Sequence, residues 1–250
     1  MPGKFRSGLK TMATSAASLP HLEQDHPCFD CAVRELAVCG VLESAALRSF
    51  KESGPVVHCA AGDTVVFEGD EAGSVYSLTS GVLRLSKLLP DGRRQIAGFL
   101  FPGDFLGITL EEEHAFTAEA VAPSTLCKFP RSRFEAFVGE HPALERRLYA
   151  VAAHELAAAR KQLVLLGRKT ATERMASFLL LLEGHCHVGF AGQEIAFPMS
   201  RADIADYLGL RIETVSREIS ALKAARTIQL TGRQSFRIVD RERLDQLAEG

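Results

Sequence analysis

The sequence predicts an α+β chain in three parts: a β-roll or barrel, one long helix, and a winged helix-turn-helix. Three observations carry this. Between Pro55 and about Pro130, short apolar runs of strand length alternate with glycine-acid turn pairs, the pattern of a small all-β unit. After His141-Pro142, apolar residues recur three and four apart to about Leu166, as on a helix. From Ser200 onward there follow a capped helix, a glycine, a second helix and two short strands around a Thr-Gly-Arg turn.

In chain order, residues 1–25 are rich in Ser, Ala and Thr with scattered basic residues and Pro20, the composition of a flexible tail. Residues 26–140 hold a cysteine-bearing loop and then the strands Thr64-Val-Val-Phe, Val75-Tyr-Ser-Leu, Val82-Leu-Arg-Leu and Gln95-Ile-Ala-Gly-Phe-Leu, with turns at Gly62-Asp63, Gly69-Asp70, Asp91-Gly92 and Gly103-Asp104. Asp91-Gly92 is a hairpin signal, because the favoured turn needs the positive φ that these residues tolerate. Residues 141–167 form the long helix. Its seam of Tyr149, Ala152, Leu156, Ala159, Leu163 and Leu166 suits a twin helix, while a second stripe with Leu148 and Val151 suits its own β-domain. Residues 168–250 form the last domain: a helix from Lys169 to Leu182, a turn at Gly184, a short strand Glu194-Ile-Ala-Phe, then the capped helix Arg201 to Tyr207, a turn at Gly209 and a second helix over about Arg211 to Ala224.

At 250 residues and 46% apolar, the chain can bury a sizeable core. Apolar stretches such as Phe178 to Leu182 fall far short of the about 20 residues of a membrane span, so no membrane partner is expected. Net charge is −2; residues 1–167 carry 17 basic and 20 acidic side chains, residues 168–250 carry 12 and 11. Nucleic-acid binding must therefore rest on a local patch. There is no P-loop, dinucleotide fingerprint or nucleophile-base pattern, so an enzyme is not expected.

Cys28, Cys31 and Cys39 lie close in sequence, and Cys127 sits far downstream in the strand-like run Thr125 to Phe129. Cys28 and Cys31 can share one side of a tight turn, with Cys39 returning after a short helical stretch. The segment His26-Pro-Cys-Phe-Asp-Cys reads as too polar for core, so a shared metal centre is the economical reason to gather these sulfurs. Thiolates select zinc, copper(I) or iron–sulfur clusters; a zinc knuckle would want a second close pair, so three plus one remote fits a cluster better, with zinc left open. Cys59 and Cys186 read as ordinary thiols. Disulfides would need an oxidising compartment, and no secretory signal follows the basic start Lys4, Arg6, Lys10; the expectation is cytoplasmic.

In the last domain, Ile204, Ala205, Leu208, Leu210, Val215, Ile219 and Leu222 pack the two helices together, leaving Arg211, Glu213, Thr214, Ser216, Arg217 and Ser220 outward. The N-terminal half of the second helix is placed to enter a major groove. There Arg217 can bond a guanine bidentately, Glu213 can accept from a cytosine amino group, and Ser216 can touch thymine or phosphate. A plain Glu213–Arg217 i,i+4 pair is the bland reading. Arg233 and Arg237 of the wing can meet phosphates.

This order of parts resembles the Crp/Fnr family of bacterial regulators over about residues 26–248. The match rests on Glu213-Thr-Val-Ser-Arg217, similar to the Fnr-branch recognition helix, with Gly81, Asp91-Gly-Arg-Arg-Gln and Pro102-Gly-Asp-Phe-Leu-Gly107. The resemblance implies a cyclic-nucleotide-binding-like β-roll, a dimerisation helix, and an oxygen-labile [4Fe-4S] cluster on Cys28, Cys31, Cys39 and Cys127, the wide Cys31-to-Cys39 gap being similar to alphaproteobacterial Fnr-like proteins. It implies that Glu213, Ser216 and Arg217 read TTGAT-type half-sites of an inverted repeat, with double-stranded DNA, a second copy and RNA polymerase as partners. The cyclic-nucleotide branch holds phosphate with a Gly-Glu and an Arg-Ser pair; here Glu111, Glu112 and Glu113 would repel it, so cyclic AMP is not expected. For haem sensing, His58 and His114 are available, each more often an ordinary histidine.

Overall fold

The structure is a computed structural model and describes residues 22–52, 54–109, 111–185 and 194–250. Most of the expected tail, and Cys186, lie outside these residues. Val38–Val41 forms a 3-10 turn and Ser44–Glu52 the helix α1. Eight strands follow: β1 Val56–Cys59, β2 Thr64–Val66, β3 Ser74–Ser80, β4 Leu83–Leu88, β5 Arg94–Leu100, β6 Phe105–Leu106, β7 Thr117–Ala120 and β8 Ser124–Pro130. They make two four-stranded sheets, ordered β1-β8-β3-β6 and β2-β7-β4-β5, with every pairing antiparallel. This is the expected β-roll. Its interior is filled by Val66, Leu78, Leu83, Leu100, Ala118 and Leu126 among others.

The Asp91-Gly92 hairpin forms as the sequence predicts. Gly92 takes φ +83° and donates to Leu89 O at 2.9 Å, while Asp91 Oδ1 accepts from Arg93 N at 3.1 Å. At the β3–β4 turn, Gly81 has φ +87°, and a Cβ there would lie 2.5 Å from Pro123 O, so both the dihedral and the close approach demand glycine.

Helix α2 spans Arg131–Glu140, and the long helix α3, Pro142–Arg168, lies within a residue of the expected 141–167. Both expected stripes exist up to Leu163, but Leu166, expected on the seam, packs instead on the core of the last domain. Leu144 is fully buried, and Leu148 and Val151 pack on the same core, whereas Tyr149, Leu156 and Leu163 are 69%, 53% and 72% exposed. That exposed seam is uncovered in a single chain.

The last domain contains α4 Ala171–His185, β9 Ile195–Ala196, α5 Arg201–Leu208, α6 Ile212–Ala224, β10 Ile228–Leu230, β11 Ser235–Ile238 and α7 Arg241–Glu249. One expectation is corrected: Gly184 does not turn the chain, because α4 continues to His185. A glycine costs a helix only about 1 kcal/mol, and His185 holds the last turn by stacking on Phe101 at 4.0 Å and hydrogen bonding Leu181 O at 2.7 Å. The strand expected over Glu194 to Phe197 is shortened to the two residues that pair with β11. Helices α1, α2 and α7 were not expected; each is short and stabilised by what it packs on rather than by its own periodicity.

Candidate functional site

A separate core built from α1, β8, α2 and the start of α3 carries the cysteine loop. Phe50 stacks on Phe129 at 4.2 Å and touches Phe134 and Phe137. Leu22, Val38 and Leu42 are buried against this cluster, and Cys28, Cys31, Cys39 and Cys127 all pack within or against it. The structure thus gathers the four cysteines at one place, although Cys127 reaches it from β8, where it pairs with Val56 and Ser77.

The loop itself is irregular but held by a series of turn hydrogen bonds. Turn hydrogen bonds run from Phe29 N to His26 O, Cys31 N to Cys28 O, Arg34 N to Cys31 O and Leu42 N to Cys39 O. Turns and the 3-10 turn therefore replace the short helical stretch expected before Cys39. The reading of this segment as too polar for core is also corrected: His26 is 3% and Cys28 9% exposed. His26 achieves this by satisfying both ring nitrogens. Nδ1 accepts from Cys28 N at 3.0 Å, which leaves Nε2 as the donor to Ser44 O at 3.1 Å. That histidine fixes the backbone at the first cysteine; its only sequence signal was adjacency to the motif.

Burial pushes the Cys28 thiol up to about 11, aided by repulsion from Cys31 and Cys127 and opposed by the charge of Lys51. Burial likewise pushes Cys39 up to about 12, with Cys31, Cys28 and Cys127 adding to it. All four sulfurs therefore lie in one electrostatic neighbourhood. Protonated thiols of this kind are poor nucleophiles, and any metal they take must displace protons. Among the described residues, no three Cys, His, Asp or Glu side chains are gathered closely enough to hold a single metal ion; tetrahedral zinc would need sulfurs about 3.8 Å apart. The four thiols packed within or against this one core are a soft donor set.

Cys59 stands apart, packed against the interior of the roll. His58 is engaged with Thr125 Oγ1 at 3.3 Å. His114 is buried, and its backbone accepts from Gly69 N and donates to Asp70 O, both at 2.9 Å.

The second site is α6. Ser200 caps α5: its Oγ accepts from Asp203 N at 3.1 Å, and Asp203 Oδ2 accepts from Ser200 N at 3.0 Å, a reciprocal box. Gly209, at φ +62°, ends α5 in the left-handed conformation. Ile204, Leu208, Val215, Ile219 and Leu222 are buried between the helices, and Arg211, Glu213, Ser216, Arg217 and Ser220 are exposed, with Thr214 half-buried. Arg217 Nη2 lies 3.4 Å from Thr214 Oγ1; the Glu213 pairing expected of a bland helix face is not formed. On the α4 side, Thr172 Oγ1 donates to Glu218 Oε2 at 2.7 Å, and the wing strands carry Arg233 and Arg237 exposed at its tip and edge.

Between the two sites lies a polar junction that the sequence reading missed. Arg84 on β4 grips Glu119 with Nε and Nη2 at 3.2 and 3.0 Å and donates from Nη1 to Asp203 Oδ1 at 2.9 Å. Arg94 on β5 reaches Asp203 Oδ1 at 2.7 Å and Asp206 Oδ2 at 2.7 and 2.9 Å, and Gln95 Nε2 donates to Asp206 O at 2.9 Å. Phe99 packs on Tyr207 and Phe178 beside them. The α3–α4 joint is pinned by Arg174, which donates to Leu166 O, Lys169 O and Leu208 O at 2.8–2.9 Å. The signal was present in Asp91-Gly-Arg-Arg-Gln, whose last two residues are the α5 contacts.

Comparison with known proteins agrees with this geometry. Residues 173–247 match the Crp-like helix-turn-helix domain and residues 56–141 the cyclic nucleotide-binding domain. The nitrogen fixation regulation protein FixK of Bradyrhizobium diazoefficiens is 49% identical over 199 residues, 79% of this chain and 84% of the relative. The chain belongs to the Crp/Fnr family. Within that family, the transcriptional activator protein FnrL of Cereibacter sphaeroides is 36% identical over 224 residues, 88% of this chain and 90% of the relative. The solved structure of FixK2 from Bradyrhizobium japonicum superposes with a TM-score of 0.73 at 38% identity, covering 78% of this chain and 96% of that one. This Crp/Fnr chain is a DNA-binding transcriptional regulator and not an enzyme.

Proposed function

We propose that this chain is an oxygen-responsive transcriptional activator whose Cys28, Cys31, Cys39 and Cys127 hold a [4Fe-4S] cluster. The convergence of four thiols at one core, three from a hydrogen-bonded loop and one from β8, carries the reading. When bound, such a cluster supplies a redox centre that dioxygen can oxidise. The chain's own residues do the rest. The loop packs against Leu144, Leu148 and Val151 of α3 through the shared core, and Arg147 Nη2 donates to Leu36 O at 3.0 Å, so a loop ordered by its ligands holds the long helix in one orientation. The exposed seam of Tyr149, Leu156 and Leu163 is then free to pair with a second copy. Pairing sets two α6 helices roughly 34 Å apart, one turn of B-DNA, for the half-sites of a TTGAT-type inverted repeat.

Activation is supported by the name of a relative, the transcriptional activator protein FnrL, and RNA polymerase is the partner this reading assigns to it. A cytoplasmic site follows from thiols that must stay reduced. Cyclic AMP is not a ligand in this reading. Ile108 and Thr109 line the cavity of about 340 Å³ beside Gly107. Its arginine, Arg131, is engaged by Glu135, Thr109 O and Glu111 O, and Glu111, Glu112 and Glu113 are exposed nearby.

The test is the visible spectrum, iron and sulfide content of protein purified without oxygen. A broad absorbance that bleaches in air is expected. A colourless protein, with or without zinc, would leave the DNA reading and sink the cluster. For the dimer, Leu163→Glu is expected to weaken pairing about 100-fold to more than 10⁴-fold, since each of the two copies loses a buried leucine worth ~1.5–3 kcal/mol; sedimentation equilibrium reads this directly, and an unchanged dimer would reject the seam.

A further inference from the structure

We infer that Lys51 is a positioning residue of the thiol pocket, whose ammonium donates to Cys127 Sγ and thereby sets the reduction potential of the group that the four cysteines hold. This rests on the cluster reading above. Lys51 lies in the last turn of α1, where a cation suits the carbonyl end of a helix, and its neighbours Leu47 and Phe50 anchor that helix in the core. From there the half-buried side chain donates to Gly54 O at 3.1 Å and to Cys127 Sγ at 3.2 Å. The first bond fixes the ammonium and the second aims it at Cys127, which alone of the four comes from the β-roll. The same charge acts on Cys28, where it opposes burial and the repulsion of Cys31.

A set of four thiolates is an accumulation of negative charge, and the reduced state of anything bound there is the more negative one. A resident cation and an N–H···S bond both stabilise that state, and hydrogen bonds to sulfur together with net charge are the levers by which a protein tunes such a centre. Lys51 therefore holds the potential up and makes the bound group harder to oxidise. It also ties Cys127 to α1, so that the remote ligand and the loop move as one unit.

The experiment compares wild type, Lys51→Met and Lys51→Arg, all purified without oxygen. The readouts are iron and sulfide per chain, midpoint potential by spectroelectrochemical titration, and the rate of absorbance loss in air-saturated buffer. Lys51→Met removes charge and donor at nearly constant length; its potential is expected to fall and its bleaching to quicken several-fold, whereas Lys51→Arg stays close to wild type. Failure of Lys51→Met to retain iron while Lys51→Arg loads normally also supports the assignment. Wild-type potential and bleaching in Lys51→Met overturn it, as do equal effects of both substitutions or loss of iron from both, which mark a packing role. A wild type that binds no iron overturns the cluster reading and this inference together; an iron-loaded wild type matched by Lys51→Met overturns the inference alone.

Discussion

Arg217→Ala is expected to abolish retention on inverted-repeat DNA while leaving the visible spectrum and the fold unchanged. A bidentate arginine–guanine contact is worth about 1–3 kcal/mol, and a dimer uses it twice. The loss is therefore roughly 2–6 kcal/mol, about 30-fold to more than 10⁴-fold in affinity. Arg217 is exposed and its contact in the free protein is one 3.4 Å bond to Thr214, so stability should move by no more than about 0.5 kcal/mol. Fluorescence anisotropy at fixed salt, on the TTGAT-type repeat and on a scrambled duplex, separates this from a phosphate contact. A residue that reads bases loses the preference for the repeat. One that only meets phosphate weakens both duplexes equally, and that result would reject the role given to Arg217.

Asp203→Ala carries the largest expected loss of stability. The carboxylate is 4% exposed and receives Arg84 and Arg94 from the β-roll while closing the capping box with Ser200. Removing one partner of a buried pair costs about 3–5 kcal/mol when the remainder is sealed in; with Arg84 and Arg94 at 20% and 29% exposure the lower part of that range applies, and the lost cap contributes about 1 kcal/mol. About 3–4 kcal/mol is the expected total, read by urea unfolding. The pH dependence has a definite sign. Burial by itself raises the Asp203 pKa, but the Ser200 hydrogen bonds and the charges of Arg84 and Arg94 outweigh it and hold it below 3.8. A group depressed on folding contributes stability that is present above its unfolded pKa and lost as pH falls through the folded one. The advantage of wild type over Asp203→Asn should therefore be full near pH 6 and shrink in the acid range below about 4. A difference that is flat down to pH 3 would show that the carboxylate's charge is not what matters.

Much of the candidate site was legible because its chemistry is local in sequence. The Ser200–Asp203 cap, the Gly209 turn and the outward face of α6 are each set within one or two turns of chain, and the structure forms the cap and the turn as expected and leaves that face exposed. The burial of His26 and Cys28 was not legible, because a polar segment becomes core only when a distant surface satisfies it, here Ser44 O and the Phe50–Phe129 stack. Gly184 was misread for a related reason: the stacking of His185 on Phe101, which follows β5 and is far away in sequence, outweighs the small helical penalty of a glycine.

By itself the sequence determined the parts and their order: strand-length runs and turn pairs for the roll, a two-striped periodicity for α3, soft ligands near the N-terminus, and a capped helix pair bearing Glu213, Ser216 and Arg217. Local propensity, patterning and residue chemistry are properties of neighbouring residues, so they survive in one dimension. Only the tertiary structure decided how those parts act on one another. It carries Cys127 to the loop and sets Lys51 on its sulfur, brings Arg84 and Arg94 onto Asp203 and Asp206, and gathers the ends of α3 and α5 under Arg174. Each of these joins residues tens of positions apart or docks one helix end on another, and their pairing depends on where packing of the whole chain leaves each charge, which no periodicity records.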